Sequence, residues 1–448
     1  MNDTIAAISS GSRINQPISI IRLSGPDTLK IIKKIFKGKI GTDHDITYGN
    51  IYDGETLIDE VLVMWFLGKE KNGELIFNNY VGEPIVEINC HGGIVVTNKV
   101  LELLLSNGAR MAEPGEFTRR AFLNGKLDLI KAEAIHDLIM AKTLTQAKAS
   151  VYRFTGKTSS LIDELSKDIA LLIGMSEVNI DYPEYDDIEQ LDNQIMLDKL
   201  KILKTRFEEI IKVSNNSRYI FEGVKVSILG KPNVGKSSIL NALLSEEKAI
   251  VTDIAGTTRD LVEASYQING ILFNLVDTAG LRKTDNKIEQ IGIEKSLKQI
   301  QISDLIIHVI DPTQSENDFD LLVEQEAKKQ HKLYLKVQNK SDLVKNNNLI
   351  SISALNNDIK ELEDALVKEF ENLDVMDKRI LSNTRQLSLI QNAYNSLLEA
   401  EKSILNYATF DVIIVDLYDA WDALQNIKGQ VNREDLLDVM FKNFCLGK

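Results

Sequence analysis

Cysteine is nearly missing from this chain: only Cys90 and Cys445 occur among 448 residues. Two cysteines build no disulfide framework, and their spacing suggests no zinc site. A reducing cytoplasm is the expected compartment. Long apolar runs are missing too. No stretch reaches the roughly eighteen residues that a transmembrane helix needs, so no membrane span is expected. The N-terminal MNDTIAAISSGSRINQP has no basic start followed by an apolar core, and no secretory signal is expected. Positive charge is in deficit: 52 Lys and Arg against 66 Asp and Glu leave a formal net charge of −14. That balance argues against a nucleic-acid binder that uses its whole surface, and it leaves room for a local basic patch. The acidic run DYPEYDDIEQLD at 181–192 reads as a loop between helices. The chain shows no internal repeat and no low-complexity segment.

What remains is ordinary globular material, 44% hydrophobic and 26% charged, which is ample for cores. The length suggests about three domains. Residues 1–119 alternate β-rich runs such as ISIIRL, LIDEVLVMWFLG and EPIVEINCHGG with Gly, Asn and Asp punctuation. A helix is expected near 94–107, and the region reads as α+β. Residues 120–216 turn helical, with apolar residues three and four apart, and a similar texture returns over 378–448. Between them, 217–377 alternates VKVSILG, SSILNALL, FNLVDTAG, LIIHVID and KLYLKVQNK in the manner of a doubly wound parallel sheet. The expected fold class is therefore α/β and α+β multidomain: a helical domain interrupted by an inserted α/β domain, with two separate helical domains as the alternative.

The inserted region carries a nucleotide site. Gly230-Lys-Pro-Asn-Val-Gly235-Lys236-Ser237 matches the phosphate-binding pattern G-x-x-x-x-G-K-[ST] between an expected strand and helix. Its glycines let backbone N–H groups turn toward phosphates, aided by the helix N-terminus, so Asn233, Val234 and Ser238 belong to the lining. Lys236 is expected to reach the β- and γ-phosphates, and Ser237 to ligate Mg²⁺. Asp277-Thr278-Ala279-Gly280 follows, an Asp for the metal shell and a Gly whose N–H meets the γ-phosphate. In Asn339-Lys340-Ser341-Asp342 the aspartate accepts two hydrogen bonds that guanine offers and adenine does not. Ser353-Ala354 fits the loop behind the base. Four motifs in this order read as a GTP site.

Hydrolysis poses a problem. The position after D-T-A-G, where Ras-like GTPases carry a water-orienting Gln, is Leu281, which polarises nothing. Arg259 and Arg282 are candidate arginine fingers, and Glu289 is either a water-orienting carboxylate or a solvated residue at a helix start. In AIVTDIAGTTRD at 249–260, Thr258 is the candidate to close over the γ-phosphate and ligate Mg²⁺.

PNVGKSSILNALL, AIVTDIAGTTRD, DTAGLR and NKSD resemble the TrmE–Era–EngA–Septin-like GTPases. PGEFTRRAFLNGKLDLIKAEAIHDLI, CHGG and the tail FCLGK narrow the resemblance to the MnmE (TrmE) family of tRNA modification GTPases, over the whole chain. The resemblance implies an N-terminal folate-binding and dimerisation domain, a G domain inserted in a helical domain, and a flavoprotein partner, MnmG, in a heterotetramer. It also implies addition of an aminomethyl or carboxymethylaminomethyl group to C5 of a wobble uridine in tRNA. The carbon would come from a 5-formyl- or 5,10-methylene-tetrahydrofolate. K⁺ would be held by Asn233, Thr252, Ile254 and Thr257, Glu289 would orient the water, and Arg259 and Arg282 would be structural. Folate contacts fall on Arg22, Glu87, Lys126 and Lys448.

The tail itself reads three ways, as a frayed end, a lipidation signal or part of a site. Leu-Gly-Lys after Cys445 does not suit prenylation. The resemblance places the tail at the folate site, with Cys445 near the one-carbon unit as a candidate catalytic nucleophile. The first loop, SSGSRINQPISIIRLSG, is poorer in glycine than the family's, and Pro84 stands where an acidic residue is common; both bear on folate affinity. The competing readings are a ribosome-assembly GTPase acting as a binding switch and a regulatory GTPase with a decayed folate site. No G-x-x-G clamp of an RNA-binding KH module follows the G region.

Overall fold

The computed structural model describes residues 3–10, 15–181, 193–244, 249–250, 262–276, 289–370, 374–429, 441, 444 and 447. The chain divides into two compact units. One comprises Met1–His136, Phe154–Ser166 and Trp421–Lys448; the other comprises Asp137–Arg153 and Lys167–Ala420.

The first unit opens with β1 (Ile5–Ile8), β2 (Ile18–Ser24), α1 (Thr28–Ile35), β3 (Phe36–Gly38), β4 (Asp45–Asp53) and β5 (Thr56–Phe66). A small hairpin of β6 (Lys69–Lys71) and β7 (Glu74–Ile76) precedes β8 (Ile85–His91), α2 (Ile94–Ser106) and β9 (Arg110–Met111). Seven strands form one sheet in the order β3-β4-β5-β8-β2-β1-β9. Period-two alternation decides its faces. Val61, Val63 and Trp65 of β5, Val86 and Ile88 of β8, and Ile21 and Leu23 of β2 all point into a core with Ile31, Ile32, Val100 and Leu104 of the two helices. β1 is apolar at every position because both its faces are covered. Ala6 and Ile8 join that core, while Ile5 and Ala7 meet Phe117 and Ile85 on the other side. Phe117 belongs to α3 (Glu116–Leu123), which starts after Gly115 in the left-handed region at φ 69°. α4 (Leu129–Met140) follows.

α5 (Leu144–Phe154), α6 (Lys157–Asp181) and α7 (Asn193–Glu222) come next in the chain. α7 has 30 residues, a length of about 45 Å. The other unit then runs through β10 (Val224–Leu229), α8 (Lys236–Leu243), β11 (Ala249–Ile250), β12 (Val262–Ile268), β13 (Ile271–Val276), α9 (Glu289–Ile302), β14 (Leu305–Ile310) and α10 (Asp318–Lys329). It continues with β15 (Leu333–Gln338), β16 (Ile350–Ser351) and α11 (Lys360–Lys368), then the long α12 (Thr384–Leu405) and α13 (Phe410–Lys428). The apolar stripe of α7, Leu200, Leu203, Phe207 and Ile210, lies along a helix pair with α12, whose Ile390, Ala393, Leu397 and Ile404 are also buried. Lys204 to Glu401 ties their outer faces at 2.5 Å.

The sheet of this unit has the order β11-β12-β13-β10-β14-β15-β16. From β13 to β16 the neighbours are parallel, and β10 is buried at its centre. The four strands expected to be parallel, β10, β13, β14 and β15, are so, while β12, which the strand-helix alternation left unassigned, returns antiparallel to β13. The cause is local: Asn269 and Gly270 both have positive φ, 47° and 82°, and close a two-residue hairpin that only such residues adopt readily. The boundaries expected at 119 and 216 both fall inside helices, α3 and α7, whose periodicity carries the chain past the change in texture.

Candidate nucleotide and folate sites

The central strand β10 delivers the chain to Gly230, whose φ of 156° is near extended backbone. Space fixes this residue: a Cβ here would sit 2.4 Å from the Val309 carbonyl oxygen of β14. Asn233 turns left-handed at φ 64°, and Gly235 at φ 97° caps α8. A Cβ on Gly235 would lie 2.1 Å from Nδ2 of Asn339. The loop is thus a cradle that side chains would fill, with Val234 buried beneath it as an anchor. Lys236 folds across it, donating from Nζ to the carbonyls of Gly230 at 2.8 Å and Lys231 at 2.6 Å. Desolvation lowers its pKa to about 8. An ammonium held among carbonyls at the mouth of a glycine cradle is equipped to pair with phosphate oxygens. Ser237 and Ser238 follow on the first turn of α8.

The end of β15 supplies the second wall. Asn339 is buried and bonds on both sides. Its Nδ2 donates to the Val234 carbonyl at 2.9 Å, and its Oδ1 accepts from the Ala354 amide at 3.1 Å. One side chain therefore locks the phosphate loop to the loop after β16. Lys340 stands in the left-handed region at φ 62°, a conformation uncommon for lysine, and its ammonium pairs with Asp311 at 2.5 Å. Burial alone would raise the Asp311 pKa, but Lys340 and Thr313 outweigh it and hold the carboxylate below its usual range. Asp342 Oδ1 accepts from the Ser353 hydroxyl at 2.6 Å, so the loop after β15 meets the loop after β16 at a second point. Asn339, Lys340, Asp342, Ser353 and Ala354 thus form one cluster beside the cradle.

Thr252, Ile254, Thr257, Thr258, Arg259, Asp277, Thr278, Ala279, Gly280, Leu281 and Arg282 lie outside the described residues. Glu289 is the first residue of α9, and its side chain is likewise outside them.

In the other unit, Arg22 of β2 and Glu87 of β8 are cross-strand partners. Nε and Nη2 of the arginine reach Oε1 of the glutamate at 2.8 and 2.7 Å, both side chains being largely buried. The guanidinium also stands 5.3 Å from the Phe117 ring centre and 5.6 Å from that of Tyr80. Its Nη1 lies 3.4 Å from the Gly447 carbonyl, and Ser9 Oγ donates to the same oxygen at 3.0 Å. Gly447 is left-handed at φ 86°, and a Cβ there would meet the Ile8 carbonyl at 2.3 Å. Upstream in the tail, Phe444 stacks on His136 with ring centres 4.6 Å apart and packs with Phe441, Leu129 and Ala132. Cys445 and Lys448 are outside the described residues. Lys126 is exposed, and its Nζ donates to the Phe77 carbonyl, on the segment that also presents Tyr80 to Arg22. Arg22 and Glu87 therefore meet directly, and Lys126 joins them through residues 77–80.

Four residues escaped the sequence reading. Asp311 follows the strand LIIHVI and holds Lys340; only its place at a strand end marks it. Tyr80 and Phe117 flank Arg22 from distant segments with no local pattern. Arg120, inside PGEFTRRAF, is buried and bonds Asp3, Glu83 and Glu116 together.

Two family descriptions cover nearly all of the chain. Residues 4–126 match "GTP-binding protein TrmE N-terminus", and residues 129–445 match "MnmE helical domain". Curated relatives match from end to end. The tRNA modification GTPase MnmE of Mycoplasmopsis pulmonis is 53% identical over 452 residues, covering 100% of both chains. Its namesake in Mycoplasmopsis synoviae is 52% identical over 457 residues, covering 100% of this chain and 99% of the relative. That of Lactococcus lactis is 42% identical over 459 residues, covering 100% of this chain and 98% of the relative.

Proposed function

The chain belongs to the MnmE family of tRNA modification GTPases, and on that premise we propose that it hydrolyses GTP to drive wobble-uridine modification. In this reading it works with the flavoprotein MnmG and adds an aminomethyl or carboxymethylaminomethyl group to C5 of the base. The observation that carries the nucleotide part is the joint closure of the cradle. Gly230 and Gly235 leave no room for a Cβ, and Asn339 bonds the cradle to the guanine-side loop.

The residues take the following roles. Lys236 pairs with the β- and γ-phosphates, while the amides of Asn233, Val234, Gly235 and Ser238 line them. Asp342 reads guanine, with Ser353 and Ala354 behind the base. Ser237 and Thr258 hold Mg²⁺, with Asp277, Thr278, Ala279 and Gly280 on the γ-phosphate side. Asn233, Thr252, Ile254 and Thr257 hold K⁺. When bound, the two cations supply positive charge where the transition state gains negative charge. Glu289 orients the attacking water, which explains how a leucine is tolerated at 281.

In the N-terminal region, Arg22, Glu87, Lys126 and Lys448 take a tetrahydrofolate. A carboxylate suits the amine and ring N–H of a pterin, and cations suit its glutamyl tail. The Arg22–Glu87 pair supports this reading, because each member arrives already oriented by the other. Cys445 stands near the one-carbon unit, two residues before the Gly447 carbonyl that meets Arg22. The chain acts as a homodimer in the cytoplasm. No helix among the described residues is long and apolar enough to cross a membrane.

Reconstitution tests the reading. Purified chain, MnmG, tRNA, GTP, 5,10-methylene-tetrahydrofolate and either ammonium or glycine as the amine are combined, and the wobble nucleoside is weighed by mass spectrometry. A GTP-dependent mass gain at C5 is expected. GTP turnover with an unchanged uridine would leave a GTPase switch and remove the modification chemistry.

A further inference from the structure

A buried polar chain behind the phosphate loop is explained by none of the nucleotide motifs. His308, in β14, is fully buried. Its Nδ1 is 2.6 Å from the Tyr334 hydroxyl, and its Nε2 is 3.1 Å from Oδ1 of Asp320. Desolvation holds the imidazole below its usual pKa, although Asp320 pulls the other way. The neutral ring with its proton on Nε2 satisfies both contacts: Nε2–H donates to the carboxylate, and the tyrosine hydroxyl donates to Nδ1. The negative charge of Asp320 is therefore left for another partner.

That partner is Lys231, the second residue of the phosphate loop. Its Nζ lies 2.9 Å from Oδ2 of Asp320, with the two side chains 11% and 1% exposed. It also donates to the Ser315 carbonyl at 2.6 Å. Asp320 is held in turn by the amide of Asn317 at 3.0 Å, within the capping box that starts α10. Finally, the Lys231 carbonyl is one of the two oxygens that receive Lys236 Nζ. A continuous set of bonds thus runs from β15 through His308, Asp320 and Lys231 to the phosphate-reaching lysine. Burying a carboxylate and an ammonium is costly unless both are paired. Here the pairing also joins the first turn of a glycine-rich loop to a rigid helix start.

We propose that Lys231 and Asp320 are positioning residues of the GTPase, an internal ion pair that fixes the phosphate loop on α10 and so sets nucleotide affinity. A loop ordered before binding has less conformational freedom to lose when phosphates arrive. The inference rests on the reading of Gly230–Ser237 as the nucleotide site.

The test titrates a fluorescent GDP analogue into the full-length chain, wild type against Lys231→Met, Asp320→Asn and the double variant. Each single variant is expected to bind roughly tenfold more weakly, and the double variant no more weakly than either single, because one interaction is lost in all three. If Lys231→Met does not fold, Asp320→Asn carries the same prediction, since it keeps the shape of the side chain. Its oxygen can accept from the Asn317 amide, and its NH2 can donate to Nε2 of a His308 ring that carries its proton on Nδ1. A second readout separates positioning from packing. Imidazole NMR should find His308 neutral at pH 7 in the wild type. In Lys231→Met the ring's pKa should rise, because a carboxylate left without its ammonium stabilises the imidazolium. The other charged groups facing that ring are Glu316, Glu324 and Lys336. Folded variants with wild-type GDP affinity, or additive losses in the double variant, overturn the inference alone. A wild-type chain that binds no GDP overturns the nucleotide reading as well.

Discussion

Replacing Asn339 with alanine removes a side chain that serves two backbone groups at once. Its amide nitrogen donates to the Val234 carbonyl at 2.9 Å, and its oxygen accepts from the Ala354 amide at 3.1 Å. Val234 is fully buried and Ala354 nearly so, so neither group gains ready access to solvent when the asparagine is gone. A buried polar group left unsatisfied costs about 1–3 kcal/mol. Two such groups, partly relieved by relaxation of the loops, give a loss of about 3 kcal/mol. The groups stand on the two loops that must be in register for phosphate and guanine to bind together. Most of the loss should therefore appear in nucleotide affinity, as a roughly hundredfold weaker Kd. Asn339→Asp sharpens the test, since it retains an acceptor for Ala354 and sets a carboxylate oxygen against the Val234 carbonyl. It should bind GDP no better than the alanine variant. Isothermal titration with GDP at fixed Mg²⁺ reads both. A Kd within threefold of wild type for Asn339→Ala would refute the reasoning, because the two loops would then be positioned by other contacts.

Other expectations follow from the same geometry. Arg120→Met takes the guanidinium away from the largely buried Glu83 and Glu116 and leaves Arg110 as the cation on Glu116 and Asp3. Removing one partner of a buried ion pair costs about 3–5 kcal/mol, and the retained Arg110 pairs put this case toward the lower end. The urea midpoint of the unit containing it should fall markedly, and an unchanged midpoint contradicts the assignment. Lys236 has a pKa lowered to about 8, and phosphate oxygens favour its charged form. Binding therefore takes up a proton above pH 8. GDP affinity should be flat below that pH and fall above it, by up to about tenfold per pH unit, in a titration series. Burial, reinforced by Asp59, pushes the Cys90 thiol up to about 12, so iodoacetamide should leave it unmodified at pH 8 in a folded Cys445→Ser variant and label it after denaturation, as read by mass spectrometry.

The phosphate loop was legible in the sequence because its chemistry is contiguous. Two glycines, an asparagine that tolerates positive φ and a lysine occupy consecutive turns, and each constraint acts within a few residues. The link that Asn339 makes was not legible, since it depends on how closely β10 and β15 bring their ends together. The antiparallel β12 was left unassigned although Asn269-Gly270 announces a hairpin, because attention to the strand-helix alternation passes over a strand that is followed directly by another strand. Arg22 and Glu87 lie on strands separated by much of the N-terminal region. Their pairing is a matter of sheet register, and nothing local to ISIIRL or PIVEIN distinguishes them from surface residues. Lys231 and Asp320 illustrate the same limit. Each reads as an ordinary charged residue until β14 and α10 are packed behind the loop.

We propose that hydrolysis here runs on a bound monovalent cation and a glutamate in place of an arginine finger and a glutamine. GTP turnover by the purified chain, measured in potassium and then in sodium at equal ionic strength, tests it most directly, with Asn233→Ala and Glu289→Ala alongside. Strong stimulation by potassium that is lost in Asn233→Ala is expected, with little turnover in either salt for Glu289→Ala. Equal rates in the two salts would contradict it and return the catalytic role to Arg259 and Arg282.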